Sequence, residues 1–466
     1  MLFLQKKKIM NKIFPFLLII IIIAGCKQQE RAIIKPPPII EEEIDTADAN
    51  LTENKFQEAP QKPVEIDYYK ELYLRYEDFI YKKNINTIII QKTNVELSLP
   101  IIALNSNDKL LLEFDDLDAN YQEYKYSLIH CNADWTPSEL EKTEYLEGFY
   151  ENIISEYEHS INTIQPYIHY ELEFPNQDLN ITKTGNYLLL IYIDDKEKVE
   201  NLVLSKRFLI YDSKLNIEAN VKRATLIEDK NYKQEIDFSI DTKNFSINNP
   251  YRDLKIVIRK NARWDNVITN LKPKLVRGDV LDYNYDRENV FSGGNEYREV
   301  DIKSLKYQTM NIQNIKYQQG YYHVYLLPDK KRSFKNYSTI KDINGRQYIK
   351  NEDAKNSSKL EGEYVYVHFF LEYPAPLIDG DIFIMGALTD WNFDDNSKMK
   401  YNYNRKGYDA TIYMKQGYYN YLYAFVENRQ NVGDESFVEG QHYETENDYL
   451  ILVYYREPGT FYDQLI

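Results

Sequence analysis

From about residue 85 onward, apolar and polar residues alternate with a period of two, in short runs separated by Asn, Asp, Gly and Pro. That period sends successive side chains to opposite faces of a pleated strand, so each run predicts a strand with one buried face. Seven runs come first: Thr87 to Ile90, Val95 to Leu99, Leu110 to Phe114, Tyr124 to Ile129, Tyr170 to Phe174, Tyr187 to Ile193 and Val203 to Ile210. They fall within about 125 residues, which is the strand density of a β-sandwich. A second set follows at Leu215 to Asn220, Glu235 to Ile240, Leu254 to Arg259, Asp279 to Tyr285, Glu299 to Ile302 and Tyr321 to Leu327. The polar stretch Asn351 to Gly362 separates these from a third set at Val365 to Leu371, Asp381 to Ala387, Tyr408 to Met414, Tyr419 to Phe425 and Asp448 to Tyr455. The pattern predicts an all-β chain of about three tandem immunoglobulin-like β-sandwich domains, at 66–212, 213–360 and 361–466. Helical spacing occurs once, at Tyr69, Leu72, Tyr73, Tyr76 and Ile80, and predicts a short amphipathic helix at the start of the first domain. Phe79 to Tyr81 reads equally well as the beginning of a strand.

The N-terminus follows neither period. Lys6, Lys7, Lys8 and Lys12 precede the apolar run Ile13 to Ile23, and Ala24-Gly25-Cys26 closes it. A charged region, a short apolar stretch and small residues before a cysteine form a secretory signal, residues 1–25, ending in a lipobox. The apolar run is about half of the roughly 20 residues that a spanning helix needs, so the expected anchor is lipid on Cys26. Residues 26–65 carry Pro36-Pro37-Pro38, Glu41-Glu42-Glu43, Pro60 and Pro63 without apolar periodicity, and predict a disordered acidic tether. A flexible coil of that length spans roughly 35 Å r.m.s..

Charge narrows the partners. The formal net charge is −16, and removal of the four leader lysines makes the mature chain more acidic still. Such a surface repels nucleic acid and anionic lipid headgroups. With Cys26 lipidated, Cys131 is the other cysteine of the two, so stability must come from apolar cores, with no intramolecular disulfide. The 44 tyrosines, against 16 glycines and 16 prolines, fit a tyrosine-rich pleated fold and, as a sharper reading, extended aromatic docking faces.

The sequence contains no Gly-x-Ser-x-Gly elbow, His-Glu-x-x-His pair, Cys-x-x-Cys or phosphate-binding glycine loop. The expectation is therefore a protein that is not an enzyme and takes no cofactor or metal. His169 and His368, at or inside strand runs, read as hydrogen-bonded structural residues, and Cys131 reads as a packed thiol. Asp115, Asp116 and Asp118 have carboxylate spacing, but they lack the glycine turn of a calcium loop and read as a solvated acidic turn.

Two resemblances add to this. Gly386-Ala387-Leu388-Thr389-Asp390-Trp391, followed by the tyrosine-rich strand at Tyr418 to Tyr423, resembles glycan-binding immunoglobulin-like modules. It offers Trp391, Tyr419 and Tyr421 as an alternative sugar platform. Longer blocks resemble the plug protein of the Bacteroidota type IX secretion system. They are Phe114 to Asp118, His130 to Ser138, Gln165 to Asn176, Asn249 to Ile258, Asn261 to Asn266, Phe291 to Leu305, Tyr322 to Lys330 and His442 to Tyr449, in a similarity running from about residue 84 to the C-terminus. The resemblance implies a non-enzymatic periplasmic partner of the giant outer-membrane β-barrel translocon, closing its periplasmic mouth when idle. Interface hot spots favour Trp, Tyr and Arg, which selects Trp135 with Tyr145 and Phe149, and Arg263 with Trp264, as candidate partner-binding residues. The expected location is the periplasm, with lipid on the inner leaflet of the outer membrane and surface export as the competing fate.

Overall fold

The alternating runs pair into three β-sandwiches, each around its own apolar core, in the computed structural model of the chain, which describes residues 3–6 and 73–466. Cys26 and the tether lie outside the described residues. In the first sandwich, strands Ile85–Lys92, Leu110–Asp116, Ile168–Phe174 and Glu156–His159 form one sheet. The facing sheet is built on Lys125–Cys131, Gly185–Tyr192 and Leu202–Tyr211. Leu112, Phe114, Tyr170, Leu189, Ile191 and Phe208 meet between them, fully or almost fully buried, with the rings of Phe114 and Tyr170 stacked at 5.2 Å. Burying one such side chain stabilises the fold by roughly 1.5–3 kcal/mol.

Two elements depart from expectation. The described part of the predicted helix, residues 73–80, is irregular and ends in the strand Phe79–Ile80, which pairs with Leu204 and Ser205. Strand pairing and the stacking of Arg75 on Tyr73 and Phe79, at 4.3 and 4.5 Å, use the side chains that helical spacing would have aligned. Val95 to Leu99 forms turns and leads into the short strand Ile101–Ala103.

The second and third sandwiches are not consecutive along the chain. Asp448–Tyr455, expected in the last domain, runs antiparallel to Leu254–Lys260 in the second sandwich, and Tyr449, Ile451 and Val453 fill that core. Phe3–Lys6 lies antiparallel on the same strand. Arg298–Asp301 and Tyr321–Leu326, expected in the second domain, instead join Gly417–Glu427 and Tyr364–Glu372 in the third. The third sandwich is thus inserted into the second, and the boundaries 213–360 and 361–466 do not divide the cores. Strand order along the chain could not disclose this, because the pairing of residues 254–260 with 449–455 is set by contacts between distant segments.

Gly185–Tyr192 and Asp448–Tyr455 are buried on both faces. One face of each lies in its own core, and the other carries Leu188, Leu450, Leu452 and Tyr454 into a shared apolar layer. Double burial explains their near-continuous apolar sequences, which a half-exposed strand does not show. The first and second sandwiches therefore pack through a core-like contact.

Candidate docking surface and the three-way junction

Charged residues join the first sandwich to the third. Asp115, on the central strand Leu110–Asp116, accepts from His169 Nδ1 at 2.7 Å, from Lys415 Nζ at 2.6 Å and from the Tyr364 hydroxyl at 2.7 Å, all buried. Lys359 Nζ lies 2.5 Å from Glu113 and 2.7 Å from Glu171, and His169 Nε2 is 3.3 Å from Glu171 and 3.6 Å from Glu113. Burial alone would lower the His169 pKa, but the three carboxylates outweigh it and push it up to about 10, so the imidazole is a cation at neutral pH. Burial likewise works against ionisation of Asp115, and Lys415 and His169 overcome it, holding the carboxyl below its usual range. Glu113, His169 and Glu171 cluster closely enough to hold a metal. Lys359 already occupies the space between the carboxylates, so the arrangement works as an ion-pair lock. Asp115 and Asp116 are buried, correcting the expectation of a solvated turn: Asp116 accepts from the Tyr124 hydroxyl at 2.9 Å and from Asn84.

The same sheet of the third sandwich continues outward into an aromatic ladder. On Tyr321–Leu326, Tyr364–Glu372 and Gly407–Lys415, alternate residues (Val324, Val367, Met414) enter the core and the others face away from it. Register then aligns His323 with Tyr366, Tyr325 with His368, and Tyr366 with Tyr413. Ring centroids follow at 4.5 Å (Tyr413 to Tyr366), 5.1 Å (Tyr366 to His323), 5.2 Å (His323 to His368) and 4.4 Å (His368 to Tyr325). His323 Nδ1 and His368 Nε2 are 2.9 Å apart, so one donates to the other, and His368 Nδ1 meets the Thr411 hydroxyl at 2.9 Å. Burial, then the neighbouring His323, lower the His368 pKa, keeping this imidazole neutral. All five rings are half-exposed. Half-exposed and stacked on one another, they form an aromatic face with polar groups, a surface suited to a polar-rimmed protein contact. Sequence reasoning did not select these residues, although the alternation in Tyr321-Tyr322-His323-Val324-Tyr325 and Tyr364-Val365-Tyr366-Val367-His368 carries the signal.

Of the residues selected in advance for partner contact, Phe149 alone is largely exposed, at 68%. Tyr145 is buried in the first core, its hydroxyl donating to the Leu128 carbonyl at 3.3 Å. Arg263 is 1% exposed and bridges Asp265 and Glu435, at 2.9 and 2.8 Å, across the second and third sandwiches. Trp135 is buried and Trp264 half-buried, in edge contact at 5.1 Å with the Arg207 guanidinium over both rings. Tyr145 belongs to a core and the other three hold the sandwiches together, so as exposed hot spots these four are corrected by the structure. The alternative sugar platform fails on the same ground: Tyr419 and Tyr421 are core residues, with hydroxyls on the Lys415 carbonyl and on Asp329. Trp391 is a corner residue whose ring approaches Gly345 so closely that a Cβ there would lie 2.3 Å from it. Cys131 is buried, and burial pushes its thiol up to about 12, as a packed thiol requires.

The three tryptophans of the chain, Trp135, Trp264 and Trp391, are far apart in sequence and line one cavity of about 140 Å³ where the three sandwiches meet. Trp135 and Trp391 hold left-handed backbone, with φ of +66° and +61°, a conformation uncommon for bulky residues and a source of local strain.

Three sandwiches locked by buried ions, with an aromatic ladder on an outward sheet face, define a class: a multi-sandwich protein with a broad aromatic face. The sequence model of the type 9 secretion system plug protein first domain matches residues 85–212. A hypothetical protein from Parabacteroides merdae ATCC 43184, known from its crystal structure, is 36% identical, with a TM-score of 0.81, over 84% of this chain and 98% of the other. No curated protein matches the chain. The chain belongs to the type 9 secretion system plug protein family. Membership points to a non-enzymatic, plug-like role in type IX secretion.

Proposed function

We propose that the protein is a periplasmic lipoprotein that binds the periplasmic mouth of the giant outer-membrane β-barrel translocon and closes it when no substrate is in transit. The observation that carries this reading is the aromatic ladder on the third sandwich. A plug must cover a wide aqueous opening reversibly, which calls for a broad, rigid, aromatic surface with hydrogen-bonding edges. The ion-paired junctions supply the rigidity, because a body that flexed between its sandwiches would lose ordering entropy on docking. Lipid on Cys26 would hold the inner leaflet of the outer membrane, and a tether of roughly 35 Å r.m.s. would confine the plug to an effective concentration reaching the millimolar range, so that a weak contact is both occupied and releasable.

Purification from the native host through a C-terminal tag tests the reading. The barrel protein is expected to co-purify with the wild type and to be lost with the Tyr325→Ala/Tyr366→Ala double variant. Wild-type protein that emerges without any outer-membrane barrel would refute it. Cys26→Ser is expected to leave the sandwiches folded and to raise outer-membrane permeability.

A further inference from the structure

We propose that the cavity at the junction of the three sandwiches is a binding site for a small organic monocarboxylate, received by the Arg259 guanidinium and the Trp135 indole N–H. Arg259 lies on Leu254–Lys260, where Ile256 and Ile258 enter the second core, and alternation turns Arg259 towards the junction. It is 5% exposed, and among the described residues its guanidinium has no hydrogen-bond acceptor; its contact is the face of Trp264, at 4.5 Å. The other cations of the lining are engaged: Lys206 pairs with Asp390, Arg346 with Asp448 at 3.0 Å, and Arg207 Nε donates to the Tyr76 carbonyl at 2.8 Å. The Trp135 Nε1–H is a second buried donor in the same lining with no acceptor among the described residues. Arginine and indole nitrogen are donors only, so both call for an acceptor that the described residues do not supply.

Burial lowers the Arg259 pKa to about 10, with Asp78 offsetting part of the cost, and the group remains charged at neutral pH. A buried cation with no ion pair of its own is unfavourable even with Asp78 in the same lining, and water filling the cavity would leave that cost in place. An anion would cancel it, in a chain whose overall charge of −16 makes a buried surplus of positive charge all the more unusual.

The shape selects the anion. A planar carboxylate matches the fork of a guanidinium bidentately. A monocarboxylate supplies one negative charge for Arg259, and apolar walls such as Ile90, Leu99 and Trp264 penalise a dianion while accepting a hydrocarbon body. The volume, about 140 Å³, is close to that of engineered cavities of roughly 150 Å³ that accept benzene, so a body of about six carbons fits. Occupancy would stabilise the junction, because the ligand binds only where the three sandwiches meet.

Since every tryptophan of the chain lines this cavity, intrinsic fluorescence of the intact protein reports on it directly. Titration with benzoate and with butyrate is expected to give a saturable fluorescence change and a higher unfolding temperature for at least one of them, with no competition from inorganic phosphate. Arg259→Met, which removes the charge while filling the space, is expected to weaken binding by at least about tenfold and to raise the unfolding temperature of the ligand-free protein. Trp135→Phe is expected to weaken binding several-fold; it also decides the matter if circular dichroism shows Arg259→Met to be unfolded. Absence of saturable binding of either carboxylate up to about 10 mM would overturn the proposal, as would unchanged affinity in a folded variant or displacement by phosphate.

Discussion

Along the strand Tyr364–Glu372 the outward positions change character within two residues. Tyr364 is fully buried, its hydroxyl 2.7 Å from Asp115, whereas Tyr366 and His368 stand half-exposed in a ladder of stacked rings. The neighbouring strand Gly407–Lys415 repeats the contrast, with Lys415 buried against Asp115 and Tyr413 beside Tyr366. The two halves of this sheet face use the same pleat and similar residues. They differ in what stands opposite: the acidic strand Leu110–Asp116 of the first sandwich covers one half and supplies buried counter-charges. Aromatic alternation alone therefore does not distinguish a sealed joint from an open surface; the counter-charge does.

Asp115→Asn breaks the sealed half most severely. It leaves Lys415 and His169 as buried cations short of a partner, and is expected to cost about 3–5 kcal/mol in urea unfolding. A loss under about 1 kcal/mol would show that the joint is not an electrostatic lock.

Acidity and alkalinity probe the same joint from both sides. His169 has a folded pKa of about 10 against an ordinary 6.5, so its contribution is complete below pH 6.5 and lost as the pH rises through 10. Asp115, Glu113 and Glu171 have lowered values, so their contribution is present above the ordinary values of 3.8 and 4.5 and lost at lower pH. Stability is expected to plateau between about pH 5 and 6.5 and to fall by a few kcal/mol towards pH 10. In His169→Gln the alkaline decline should disappear; an unchanged decline in that variant would exclude His169 as its origin.

The open half should respond in the opposite manner. Tyr325→Ala and Tyr366→Ala remove ring contacts worth about 0.5–1.5 kcal/mol each, so unfolding midpoints should move little while capture of the barrel partner is lost. A large drop in stability with partner capture intact would reverse the assignment of the two halves. Phe149→Ala, at an exposed site of the first sandwich, gives the smallest change, within about 0.5 kcal/mol. A greater change would mean that its ring is packed.

Much of the local structure was readable residue by residue. The run Asp448 to Tyr455 is a strand at those limits, and Leu110 to Phe114, Tyr187 to Ile193 and Val203 to Ile210 match strands to within two residues at either end. Val95 to Leu99 alternates and still forms turns, because no neighbouring strand pairs with it. The polar sites were less legible. Asp115, His169 and Lys415 are separated by up to 300 residues and meet only after two sandwiches dock, so the sequence shows an acidic turn, a structural histidine and an unremarked lysine.

The sequence by itself determined most of the strands and which side of each is apolar, because the two-residue period is a property of the pleated backbone and of neighbouring side chains. Its two long apolar runs, read as strands with one buried face, prove to be buried on both. The tertiary structure alone decided that the strand Asp448–Tyr455 returns to the second sandwich, that the tryptophans at 135, 264 and 391 share one cavity, and that Arg259 is buried beside them without an ion pair among the described residues. Those outcomes depend on pairings between residues hundreds of positions apart, whose energies arise only when distant surfaces exclude water together.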